Sequence, residues 1–153
     1  MALLAASTTH VQQALNIGTH TLGQSSSVNL TVYRGQPAFI GADADGNAER
    51  VVEIDDISAE AATCIILSKT ADIVYTNNVL SVAYMPCRIL TDNVASGAEP
   101  EATADNRVYI DDNGQFSNAD GGSSGFSYGS CVDTRTIGTT TFYDLNLTGR
   151  DET

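Results

Sequence analysis

The pentapeptide GFSYG, Gly125 to Gly129, matches letter for letter the G-x-S-x-G pattern in which a strained strand-to-helix turn presents a nucleophilic serine. That chemistry needs a histidine to take the serine's proton, and in the fold that carries the elbow the histidine follows the serine in the chain. Here the two histidines, His10 and His20, both precede Ser127. The flanking ADGGSSG run and the β-like residues after it make the match a product of Gly/Ser composition. No serine hydrolase is expected.

Metal chemistry fares no better. DADGN, Asp43 to Asn47, sets oxygen ligands at alternate positions, as a calcium loop does. Such a loop needs glycine sixth and glutamate twelfth, where this chain has Ala48 and Ile54. Asp and Asn in these turns serve the backbone instead. The pairs Asp55-Asp56 and Asp111-Asp112 fall on β-like text, where neighbours point to opposite faces and act together poorly. His10 and His20 are too far apart for one metal-binding face. Cys64, Cys87 and Cys131 have no close spacing, so neither a disulfide framework nor a zinc knuckle is expected, and a reducing cytoplasm suits them. There is no phosphate-binding glycine loop followed by lysine. The expectation is a protein with no catalytic, cofactor-binding or metal residues, and not an enzyme.

Charge narrows the partners. Nineteen acidic residues against seven basic ones give a net charge of −12 over 153 residues. Nucleic acid and anionic membrane both require clustered Lys and Arg, so neither is an expected partner. An acidic surface keeps molecules apart and soluble. A second reading is a surface kept acidic for salty water, since Lys69 is the one lysine beside six arginines. MALLAAS lacks the basic start and the apolar length of a signal peptide. No run is long enough to span a membrane as a helix.

The elements that would position any site are mostly strands. Residues 1–20 are expected to form an arm, 1–8, followed by a short helix through HVQQALNI. Thr9 and Gln12 have capping-box spacing, Val11, Ala14 and Leu15 share a helical face, and Gly18 is a stop. Residues 21–153 are expected to form a single β-rich domain. VNLTVYR alternates, QPAFIGA and ERVVEI flank the DADGNA turn, and CIILS reads as a buried strand. SAEAAT is expected to form a helical turn, and DIVYTNNVLSVAYMP a hairpin about Asn77-Asn78 ended by Pro86. TDNVASGAEPEATAD is a surface loop. In RVYIDDNGQF a strand with Val108 and Ile110 on one face meets an Asn113-Gly114 turn; FSYGSCVDT and TTFYDLNLTG are the last two strands. PAFIGADADGN and RVYIDDNGQ echo each other as strand plus Asp/Gly/Asn turn. Together these predict an all-β fold, a small antiparallel barrel or sandwich with an N-terminal arm and one or two short helices.

The last third resembles the head decoration, or capsid cement, proteins of tailed phages. The resemblance rests on Arg107, Val108, Tyr109, Ile110, Asp111 and Gly114, then Gly125, then Leu145, Leu147 and Gly149. It implies a structural virion protein that stabilises an icosahedral head as a homotrimer at threefold positions, its partner being the major capsid protein. Such a protein is made in the host cytoplasm and ends on the outer capsid surface. An N-terminal arm would reach the shell, and the expected contact residues are Met1, Leu3, Leu4, Val11 and Leu15. The alternatives are a phage tail or head-fibre component, or a carbohydrate-binding β-module using exposed tyrosines.

Overall fold

Apolar alternation builds β-structure from the first described residue onward. In the computed structural model of the protein the described residues are 9–25, 28–29, 32–54, 61–68, 79–103, 105–118 and 126–151. In chain order the strands are β1 (Thr9–Ala14), β2 (Ile17–Leu22), β3 (Gln24–Ser25), β4 (Val28–Asn29), β5 (Pro37–Gly41), β6 (Arg50–Glu53) and β7 (Cys64–Ile66). They continue as β8 (Val79–Tyr84), β9 (Cys87–Thr91), β10 (Arg107–Ile110), β11 (Phe116–Ser117), β12 (Ser127–Ile137) and β13 (Thr140–Asp151). The all-β expectation holds.

Two assemblies share these strands. A closed barrel runs β2-β6-β5-β7-β8, and a six-stranded antiparallel sheet runs β1-β9-β13-β12-β10-β11. The barrel is not wholly antiparallel, because β2 lies parallel to β6, pairing Thr21 with Arg50 and Leu22 with Val51. The small β3–β4 pair stands apart. Leu22, Val32, Ala38, Val51, Cys64, Ile66, Leu80 and Val82 form one buried cluster of the barrel. Strand alternation sends Ile65 and Ala83 the other way, into a second cluster with Cys87, Ile89, Val108, Phe116, Leu145 and Leu147 of the sheet. Both faces of β7 are therefore buried, which is why CII carries no polar residue. The Tyr128 hydroxyl also accepts the Ala62 N–H, joining β12 to the barrel side.

The short helix over HVQQALNI is corrected: those residues form β1 and enter β2. Val11 pairs with Ile89 and Ala14 with Cys87, but the register shifts between Val11 and Gln13. The extra residue of this bulge puts two residues three apart on one face, which is also the spacing of a helix. Val11 and Ala14 pack on the sheet core, whereas Leu15 is 74% exposed. Gly18 is no helix stop either. It sits inside β2, where a Cβ would lie 2.6 Å from the Tyr84 hydroxyl oxygen. No helix occurs among the described residues. Of SAEAAT, Ala61 to Thr63 are described and form no helix, while its first three residues and the Asn77-Asn78 turn lie outside the described residues.

Other expected hairpins form. β5 pairs β6 across DADGNA, and Pro86 follows β8 with a cis Met85–Pro86 bond. β10 pairs β11, and Tyr109 is buried on the opposite face from Val108 and Ile110, so both faces of that strand are covered. The echo between the two turns is structural. In each, an aspartate carboxylate accepts the backbone N–H groups two and four residues on: Asp43 from Asp45 and Asn47, Asp111 from Asn113 and Gln115. In each, a glycine three residues on takes a positive φ, +84° at Gly46 and +73° at Gly114.

Candidate functional site

The tempting groups are engaged in folding. Ser127 opens β12 and pairs with Asp151 within an antiparallel sheet, not on a strand-to-helix turn. Gly129, which completes the pentapeptide, is required by close approach: a Cβ there would lie 1.9 Å from the Asn146 carbonyl oxygen. His20 Nε2 hydrogen-bonds the Tyr84 hydroxyl, and the His10 ring packs against Phe142 with centroids 6.5 Å apart. Neither ring serves Ser127.

The carboxylates of the twin turns are likewise occupied. Burial pulls the Asp43 carboxyl upward, but N–H donors from Gln24, Asn47 and Asp45 outweigh it and hold the group below its usual range. At Asp111 burial prevails over the Gln115 and Asn113 donors, with Asp112 adding repulsion, so that carboxyl titrates higher than usual. Among the described residues no three His, Cys, Asp or Glu side chains gather as a metal site. All three cysteines are buried. Burial pushes the Cys64 thiol up to about 12 and those of Cys87 and Cys131 to about 11. A thiol with so little thiolate is a poor nucleophile.

What the fold presents to solvent is a projecting ribbon. β13 pairs β9 only from Tyr143 onward, with Tyr143 opposite Thr91. Before that point β12 and β13 pair with each other alone, through Thr134 and Tyr143, Arg135 and Phe142, Thr136 and Thr141, and Ile137 and Thr140. Every residue from 132 to 141 is exposed. The ribbon turns at Gly138-Thr139, with Gly138 at φ +66°.

Alternation gives the ribbon two faces. Thr134, Thr136, Thr141 and Tyr143 share one. Arg135, Ile137, Thr140 and Phe142 share the other, and Ile137 is 58% exposed. At the ribbon's base Thr134 and Tyr143 line a cleft of about 400 Å³ with the 99–103 segment, which brings Glu99 and Glu101.

Of the expected contact residues, Val11 and Leu15 lie among the described residues, and those two face different surroundings. Met1, Leu3 and Leu4 lie outside the described residues. Val11 faces the core. Leu15 stands at the end of β1 opposite Thr9, beside Ile17, which is 62% exposed, and a cleft of about 200 Å³ lined also by Gln13, Pro86, Arg88 and Asn146. Thr9, by contrast, pairs with Thr91, and Thr91 with Tyr143, so the chain preceding Thr9 joins the sheet at the ribbon's base. The ribbon had a signal in TRTIGTTT, β-branched residues around a glycine, but nothing in those letters says that neighbouring strands stop short of it. No family model, curated protein or solved structure matches the chain.

Proposed function

We propose that this protein is a structural component of a phage virion that decorates and stabilises the icosahedral head, as a homotrimer on the outside of the major capsid protein shell. The observation that carries the reading is that the first residue of β1 lies at the root of the projecting ribbon. Thr9, Thr91 and Tyr143 lie side by side, so β1 begins at the base of the β12–β13 ribbon. A β-body with a ribbon projecting at one end suits a protein whose work is contact: in this reading the N-terminal residues meet the shell and the ribbon meets neighbouring copies. Met1, Leu3 and Leu4 give those N-terminal residues an apolar character. Burying such side chains contributes roughly 1.5–3 kcal/mol each before ordering costs. Linking copies multiplies modest contacts through effective concentration. The net charge of −12 keeps decorated particles apart.

The experiment is co-sedimentation with undecorated heads of the phage that encodes the chain. Saturable binding, and heads that resist heat or chelator longer once decorated, support the proposal. Absence of binding to such heads defeats it. The carbohydrate-binding alternative gains nothing from the tyrosines: Tyr109 and Tyr128 are buried, Tyr33, Tyr84 and Tyr143 are half-buried, and Tyr75 lies outside the described residues.

A further inference from the structure

Two-stranded ribbons are marginal in water by themselves. The 132–141 ribbon nonetheless consists largely of β-branched residues, Val132, Thr134, Thr136, Ile137 and Thr139 to Thr141, the composition of a strand that packs against something. Its charges, Asp133 and Arg135, cancel, so it is a neutral projection from a strongly acidic chain. Two copies of such a chain repel over most of their surfaces. They repel least here.

The face carrying Arg135 and Ile137 also has a complement on the same molecule that it cannot reach. Thr134 and Tyr143 line the acidic cleft with Glu99 and Glu101, and Arg135, the next residue along the strand, points to the opposite face of the ribbon. Arg135 makes no ion pair among the described residues. The unmatched positive group and the acidic cleft therefore fit each other only between molecules. Glu101 is exposed, and among the described residues it is held only by the Thr103 hydroxyl.

We infer that the ribbon is a self-association element: its Arg135–Ile137 face docks against the Glu99–Thr103 cleft at the ribbon base of a second copy of this chain. The contact is heterologous, ribbon to cleft, so each copy gives one and receives one. Contacts of that kind close into a ring when the rotation from one copy to the next divides the full circle. The inference deepens the capsid reading and rests on it for the number of copies, three.

The test is solution mass of the full chain by light scattering on a sizing column, at low salt where the pair is least screened. The wild-type protein is expected to run as an oligomer of the 16.1 kDa chain. Arg135→Glu and Glu101→Arg should each weaken assembly by about tenfold or more, as loss of complementary charge does. The combined variant should recover assembly, which a merely structural role for either residue would not produce. Ile137→Asp should also dissociate the oligomer. All three positions are exposed in the single chain, so circular dichroism and melting of the dissociated variants should match one another. A wild-type protein of monomer mass throughout overturns the inference, as does an oligomer that survives both Arg135→Glu and Ile137→Asp. In the latter case, variants that still coat heads leave the capsid reading standing. Ribbon-dependent oligomers that never bind heads leave the ribbon inference standing and remove the capsid reading.

Discussion

Thr9 and Thr91 share a buried hydroxyl–hydroxyl hydrogen bond of 2.7 Å, both side chains fully shielded from solvent. The Thr91 oxygen also accepts the Asn93 N–H at 3.1 Å. This pair pins the first residue of β1 to the last residue of β9. Replacing Thr9 by valine keeps the shape but takes one of two partners from the buried Thr91 hydroxyl, at a cost of about 0.5–1.5 kcal/mol. Urea unfolding of Thr9→Val should show that loss. Deletion of residues 2–8, which removes nothing from β1, should leave the unfolding midpoint nearly unchanged while weakening attachment to heads. A truncated protein that decorates heads normally would remove the arm from the capsid contact.

Arg88 reaches across β9 and β13 to hold Asp144 with two prongs, Nε to Oδ1 at 2.8 Å and Nη2 to Oδ2 at 2.7 Å. The two ends differ in exposure: the Asp144 side chain is 1% exposed and Arg88 39%. Removing the arginine strands a buried carboxylate, while removing the aspartate frees a cation that water can reach. Arg88→Ala should therefore destabilise more than Asp144→Ala, and the double variant less than the sum of the two. Chemical denaturation of the four proteins forms the cycle that checks this. Equal losses that add would mean the pair is inert.

The twin turns should answer acid in opposite ways. The Asp43 carboxyl is held below its ordinary value of 3.8, so its contribution is present above that pH and is lost as pH falls through the folded value. Asp111 is shifted upward, so its contribution is present below 3.8 and fades as pH rises through its folded value. Against wild type, Asp43→Asn should be destabilised at neutral pH, with the gap closing below pH 3.8. Asp111→Asn should instead compare most favourably at neutral pH. Unfolding free energies across the acid range decide it, and parallel curves for the two variants would contradict the assignment.

Cys64, Cys87 and Cys131 are buried with thiols raised to about 11–12, so a disulfide-exchange reagent should label the native protein slowly and at a rate set by unfolding. In denaturant all three should react at once. A fast-reacting thiol in the native state would show an accessible cysteine that this packing does not contain.

Much of the β-architecture was legible in the letters because strands announce themselves by period two and turns by Asp, Asn and Gly. The pairings of β5 with β6, β10 with β11 and β12 with β13 join neighbours in sequence, where the turn itself sets the partner. HVQQALNI misled because a bulge between Val11 and Gln13 places Val11 and Ala14 on one face, and period alone cannot tell a bulged strand from a helical turn.

Non-local pairing was beyond the sequence. That β1 takes β9 as its partner, that β2 closes the barrel parallel to β6, and that Asn93 donates to the carbonyls of both Gly35 and Gly114 depend on segments that meet only once the chain is folded. The same holds for the candidate surface. Composition specified an acidic chain with a Thr-rich strand near its end; the lengths of β9 and β10 decided that the strand outruns its neighbours and stands in solvent as a ribbon. A residue's type sets what it can bond to. Its exposure is set by how far the strands beside it extend, and strand length is a property of the assembled sheet.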